Sequence, residues 1–183
     1  MKGIEKKHPH LGGHANITHI DNDSFLYIKE KYNITSAYDI GCGPGWMSEF
    51  MIKNNVDTIG IDGDFSLKYN CPVIIHDFTK GKIDCLVKKD LSWSIEFLEH
   101  VEEKYMNNYF DVFLKTKIVL CTASQNHDAH HHVNVKPLKY WYSKFEEYGF
   151  SLDKESTDFI RNNSSMKRDF VRKTGMVYIN NNV

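Results

Sequence analysis

The spacing of apolar positions along this chain changes several times, and each change predicts an element. Residues 1–20 show no clear period and read as an irregular arm that could serve as a lid over a site. Asp21 to Ser24 offer N-cap chemistry, and Phe25, Ile28 and Tyr32 follow at helical spacing, which predicts a helix over about 22–33. SAYDIG then reads as a short buried strand that ends in a turn of glycines and a proline, GCGPG (41–45). Met47, Phe50 and Met51 on one face predict a helix from Trp46 to Asn54. DTIGID (57–62) and PVIIHD (72–77) are the next strands, and DLSWS (90–94) is a fourth. A helix is expected over about 95–109, followed by the apolar, β-branched strand KIVLCTAS (117–124). A histidine-rich loop leads to a helix near 136–148 with Tyr140, Trp141, Phe145 and Tyr148. Strands are expected at FSLDKE and GMVYIN (175–180).

Strands alternating with helices predict a Rossmann-like α/β domain, a three-layer sandwich around a mostly parallel sheet. The last two strands show no strong helix of normal length between them, so one of them is expected to run antiparallel. Ligands in such sheets bind at the carboxyl ends of the strands. At 183 residues the chain fits one domain, 1–183. No apolar run approaches the roughly 20 residues that span a bilayer, and no apolar stretch follows the basic N-terminus. A formal net charge of −1 gives no global field for nucleic acid or anionic lipid. Cys42, Cys71, Cys85 and Cys121 lack CxxC spacing, which points to a reduced, cytoplasmic setting without a cysteine zinc site.

The glycine turn changes the picture. Glycines let the backbone approach a ligand without a Cβ clash, and Pro44 suits the first turn of the following helix. A tight loop would need no more than this. However, the second strand ends in Asp62, where a carboxylate can accept from both hydroxyls of a ribose. The third ends in His76-Asp77-Phe78, where an acid can accept from an adenine amino group and an aromatic can cover the ring. Three such features at successive strand ends are more than a loop requires.

With DIGCGPG (39–45), GIDGD (60–64), HDF (76–78) and SIEFLEHV (94–101), the chain resembles the class I S-adenosylmethionine-dependent methyltransferases. The resemblance covers residues 36–124 well and the region to YGF more loosely. It implies S-adenosyl-L-methionine as cofactor, with Asp39 near the methionine amino group and Gly41 and Gly43 lining the methionyl and ribose side. Asp62 would hold the ribose hydroxyls, Asp77 and Phe78 would contact adenine, and Ser94 would lie beside the sulfonium. Acids stand at both Asp62 and Asp64; Asp62 is preferred because it ends the apolar run. The glycine pattern is GxGxG, without the dinucleotide GxGxxG spacing.

Methyl transfer is an in-line displacement in which positioning supplies much of the catalysis, and a hydroxyl or amine acceptor gains from a base. His8, His10, His14 and His19 lie in the arm, and His127, His130, His131 and His132 follow the fifth strand. Both segments could overlie the carboxyl edge of the sheet and share a pocket. His131 and His100 are the candidate bases; solvated loop positions are the alternative for the loop histidines and helix packing for His100. HxxH and HxH pairs have metal-ligand spacing, but no paired carboxylates fix an identity, and no metal is assigned. Asn134, Tyr140, Trp141 and Tyr142 could shape an acceptor site or simply form core. Motifs of amino methyltransferases acting on adenine or cytosine are absent. A small polar molecule or glycan is therefore the expected acceptor. A macromolecule reached through Lys136, Lys139, Lys167, Arg168, Arg172 and Lys173, or a non-catalytic binding module, is the alternative.

Overall fold

A computed structural model describes residues 8, 10, 11 and 17–183. The chain forms one seven-stranded sheet in the order β3-β2-β1-β4-β5-β7-β6. The strands are β1 (Ser36–Ile40), β2 (Asp57–Asp62), β3 (Val73–Ile75), β4 (Lys89–Ser94), β5 (Thr116–Cys121), β6 (Phe150–Leu152) and β7 (Met176–Asn180). β1 to β5 pair in parallel, while β7 runs antiparallel to both β5 and β6. The expected antiparallel strand is thus β7. The sheet reverses its winding between β1 and β4, and this is where a crevice opens at the strand ends.

Helices cover both faces. α1 (Asn22–Tyr32), α2 (Trp46–Lys53), α5 (Lys154–Asn163) and α6 (Phe170–Thr174) close over Phe25, Ile28, Met51, Trp93 and Val177. α3 (Met106–Phe113) and α4 (Leu138–Glu147) cover the other face with Phe110, Phe113, Trp141 and Phe145, where the Phe145 ring stacks on Tyr178 at 3.9 Å. Each such fully buried side chain contributes roughly 1.5–3 kcal/mol. Trp141 therefore belongs to the core.

Two expectations fail. The helix foreseen over 95–109 is replaced by 3-10 turns at Leu98–His100 and Glu103–Tyr105, and regular helix begins only at Met106. Glu96 takes a left-handed conformation (φ 52°) as it leaves β4, and Val101 is extended, so no helix can run through either. The strand foreseen at FSLDKE stops at Leu152, and a ten-residue helix, α5, stands where none was expected. Asp153 caps it by accepting from the Ser156 amide at 2.9 Å. Its buried residues are Ser156, Thr157 and Ile160, so its inward face is amphipathic in spacing but carries few apolar side chains to announce it.

Asp21 ties the two ends of the helical layer together. It is fully buried, caps α1 through the Ser24 amide, and accepts from the Ser164 hydroxyl at 2.5 Å and the Ser165 amide at 3.1 Å.

Candidate active site

The carboxyl ends of β1, β2 and β4 surround a cavity of about 1110 Å³. That exceeds the range of roughly 300–1,000 Å³ usual for one small ligand, and leaves room for two side by side.

The floor begins at β1. Asp39 is 3% exposed and accepts a 2.6 Å hydrogen bond from the Ser48 hydroxyl. Burial nevertheless raises its pKa from 3.8 to about 7. The chain then turns through Gly41, Gly43 and Gly45, all at positive φ. A Cβ on Gly41 would stand 2.8 Å from the Phe97 ring, so no side chain fits there. The Asp62 carboxylate organises this turn: one oxygen accepts from the Gly43 amide and the other from the Asp64 amide, each at 2.8 Å.

Asp62 lines the cavity, whereas Asp64 is turned into its own loop. The Asp64 carboxylate accepts from the Ser66 amide at 2.8 Å, and its carbonyl accepts from the Tyr69 hydroxyl. Farther along, Asp77 takes the Thr79 amide and hydroxyl on one oxygen, at 2.9 and 2.7 Å. His10 Nε2 meets its other oxygen at 2.9 Å. Burial pushes Asp77 up, but the bonds from His10 and Thr79 outweigh it and hold the carboxyl below its usual pKa. Phe78 is nearly buried, wedged between His76 and Phe97 with ring centroids at 5.0 and 5.7 Å. Of the seven residues expected at the cofactor, Asp39, Gly41, Gly43, Asp62, Asp77 and Phe78 line the cavity and Ser94 does not. Its side chain is fully buried beneath the floor, and Ile95 and Glu96 line the cavity above it.

The two histidine segments do converge. His10, His19, His100, His130, His131 and His132 all line the cavity, and the His10 and His131 rings lie 6.4 Å apart. His127 is exposed and outside the cavity, and His14 lies outside the described residues. Desolvation, reinforced by His132 and its neighbours, drops His100 to about 3, far too weak a base near pH 7. His131 is also lowered, by burial and then by His10.

The sequence puts Glu99 near the end of the fourth strand but assigns it no role. Glu99 is 1% exposed, and among the described residues no donor meets either carboxylate oxygen in good hydrogen-bond geometry. Burial first, and then the neighbouring Glu96, push its pKa well above normal. Ligand atoms of Glu99, His100 and His132 lie within 4.8 Å of one another. A carboxylate and two imidazoles make a donor set suited to a divalent cation. The EH pair was visible in SIEFLEHV, but only the fold brings His132 beside it.

No family model matches this chain, and no curated protein matches it by sequence. Among solved structures, the methyltransferase domain of bacterial CtHen1 covers 86% of this chain and 96% of its own, at 16% identity and a TM-score of 0.60. A TehB-like SAM-dependent methyltransferase from Corynebacterium glutamicum covers 86% of each chain, at 15% identity and a TM-score of 0.64. Magnesium protoporphyrin IX methyltransferase (ChlM) from Synechocystis PCC 6803, with bound SAM, covers 86% of this chain and 77% of its own, at 14% identity and a TM-score of 0.57. The fold of this chain is that of the class I S-adenosylmethionine-dependent methyltransferases.

Proposed function

We propose that this single domain transfers a methyl group from S-adenosylmethionine to an oxygen of a small polar molecule or glycan. The observation that carries the reading is one cavity lined both by the Asp39–Gly43–Asp62–Asp77 wall and by His100 and His132, whose ligand atoms lie within 4.8 Å of the buried Glu99 carboxylate. Solved structures of the same fold include one with bound SAM and one with SAH, which supports the cofactor. Asp39 lies where an ammonium would find a buried carboxylate. Asp62 presents its carboxylate beside the glycine turn for the ribose, and Phe78 offers a ring for adenine.

The acceptor would enter on the histidine side. A divalent cation held by Glu99, His100 and His132 would act there as a Lewis acid, lowering the pKa of an acceptor hydroxyl. His100, a poor base, suits the role of ligand; His131, at the cavity wall, is the residue best placed to take the acceptor proton. An oxygen acceptor fits this chemistry better than an amine, which needs no such activation once neutral.

The basic residues that would favour a macromolecular acceptor are partly engaged within the fold. Lys136 pairs with Glu103, Lys173 with Asp169, and Arg172 donates to the Ser164 and Met166 carbonyls. No helix among the described residues is long and apolar enough to cross a membrane, and all four cysteines are free, in keeping with a reduced, cytoplasmic setting.

Calorimetric titration with S-adenosylmethionine and S-adenosylhomocysteine, repeated with Asp62→Ala, tests the cofactor. Binding that the substitution weakens at least tenfold is expected. Absence of binding by the folded protein would end the reading. A panel of sugars and other polyols, assayed with and without Mn²⁺, then tests the acceptor class.

A further inference from the structure

Two thiols face each other behind the glycine turn. Cys42 belongs to the turn, is buried, and lines the cavity. Cys71 lies on the loop from β2 to β3 and is partly exposed. Both sulfurs crowd the space over Gly60: a Cβ there would stand 2.7 Å from Cys42 Sγ and 3.1 Å from Cys71 Sγ. Gly45 makes room for Cys71 from the other side, where a Cβ would stand 2.5 Å from its sulfur. The two segments are already tied, since the Asn70 amide and side chain both donate to the Pro44 carbonyl, at 3.0 and 3.2 Å.

We propose that Cys42 and Cys71 form a reversible disulfide, a redox modification site built into the cofactor wall. Hydrogen peroxide is the oxidant. The partly exposed Cys71 thiolate attacks one peroxide oxygen, the O–O bond breaks, and the hydroxide released takes a proton to become water. The Cys42 thiol then attacks the resulting sulfenic sulfur; the S–S bond forms, and the hydroxyl leaves as a second water carrying the Cys42 proton. Two thiols lose two electrons, and one peroxide gains them. A hydrogen bond from Cys42, outweighing burial, lowers the Cys71 pKa and favours the attacking thiolate. A dithiol reductant reverses the bond.

The bond would draw residue 42 toward residue 71 and so strain the neighbouring Gly43 amide's 2.8 Å bond to Asp62. Through the function proposed above, the consequence is weaker cofactor binding. Peroxide treatment of the intact protein, followed by peptide mapping without reduction, tests the linkage itself. A Cys42–Cys71 linked peptide that dithiothreitol abolishes is expected, with a loss of about 2 Da in intact mass. The exposed Cys85 is an internal control: its oxidation with no Cys42–Cys71 peptide would overturn the proposal. Titration of both redox forms with S-adenosylhomocysteine reads the consequence, with at least tenfold weaker binding expected for the oxidised form and none of this change in peroxide-treated Cys71→Ser. Equal affinity of the linked and reduced forms would overturn the coupling. A reduced protein that binds no S-adenosylhomocysteine would sink the proposed function, while a mapped linkage would still stand.

Discussion

His10 Nε2 and Asp77 Oδ2 stand 2.9 Å apart, so the arm occupies one oxygen of the acid that the sequence resemblance assigns to adenine. Thr79 holds the other oxygen. A nucleoside entering this wall must compete with His10. Replacing His10 with Ala is expected to tighten S-adenosylhomocysteine binding about three- to tenfold, the net value of roughly one ordinary hydrogen bond. Calorimetry at neutral pH reads it, and weaker binding would show that the arm helps to hold the cofactor.

Asp39 makes binding a proton-linked event. Its folded pKa of about 7 lies above the ordinary 3.8, so the folded, ligand-free protein holds an extra proton between those values. The stability contributed by the neutral carboxyl is complete below pH 3.8 and is lost as pH rises through 7. A cationic methionine amino group beside it favours the carboxylate, so binding near pH 6 is expected to release a proton. Titrations in buffers of different ionisation enthalpy would show this release, and Asp39→Asn would abolish it.

Gly41 faces Phe97 with no room for a methyl and has a φ of 73°. Gly41→Ala is expected to cost about 1–3 kcal/mol through strain and overpacking, and to weaken cofactor binding at least tenfold. Denaturation with and without S-adenosylhomocysteine separates the two effects.

Glu99→Gln keeps the shape of the buried side chain and removes its capacity to ionise and bind a cation as a carboxylate. Mn²⁺ affinity is expected to fall at least tenfold while S-adenosylhomocysteine affinity stays within about twofold. Chelation of the wild-type protein should likewise remove methyl transfer to hydroxyl acceptors and spare cofactor binding. Full activity in excess chelator would exclude the cation from the reaction.

Asp21→Ala removes the α1 cap and leaves several serine donors of a buried network unpaired. A loss of about 2–3 kcal/mol in unfolding free energy is expected, read by urea denaturation. The effect should leave ligand affinities unchanged.

The glycine turn and the acids after β2 and β3 could be read directly, because buried parallel strands are near-continuous apolar runs and their ends are abrupt. The convergence of the arm and loop histidines was also legible, since both segments belong at one edge of such a sheet. What the sequence hid was long-range or polar. α5 buries Ser156, Thr157 and Ile160, a face with little apolar content, so a search for apolar residues passes over it. The path after Ser94 turns on a left-handed Glu96, a conformation no pattern of apolar residues signals. Asp62 and Asp64 are told apart only by where their carboxylates point. Glu99 gains its meaning from His132, and Cys42 from Cys71, neither of them neighbours in the chain.

β3 and β6, the outermost strands of the sheet, are three residues long. Each rim therefore offers only a few unpaired backbone groups, too few to template a strand from another molecule. This shortness limits edge-to-edge strand pairing between copies of the folded chain, a route to aggregation that longer open rims would leave available.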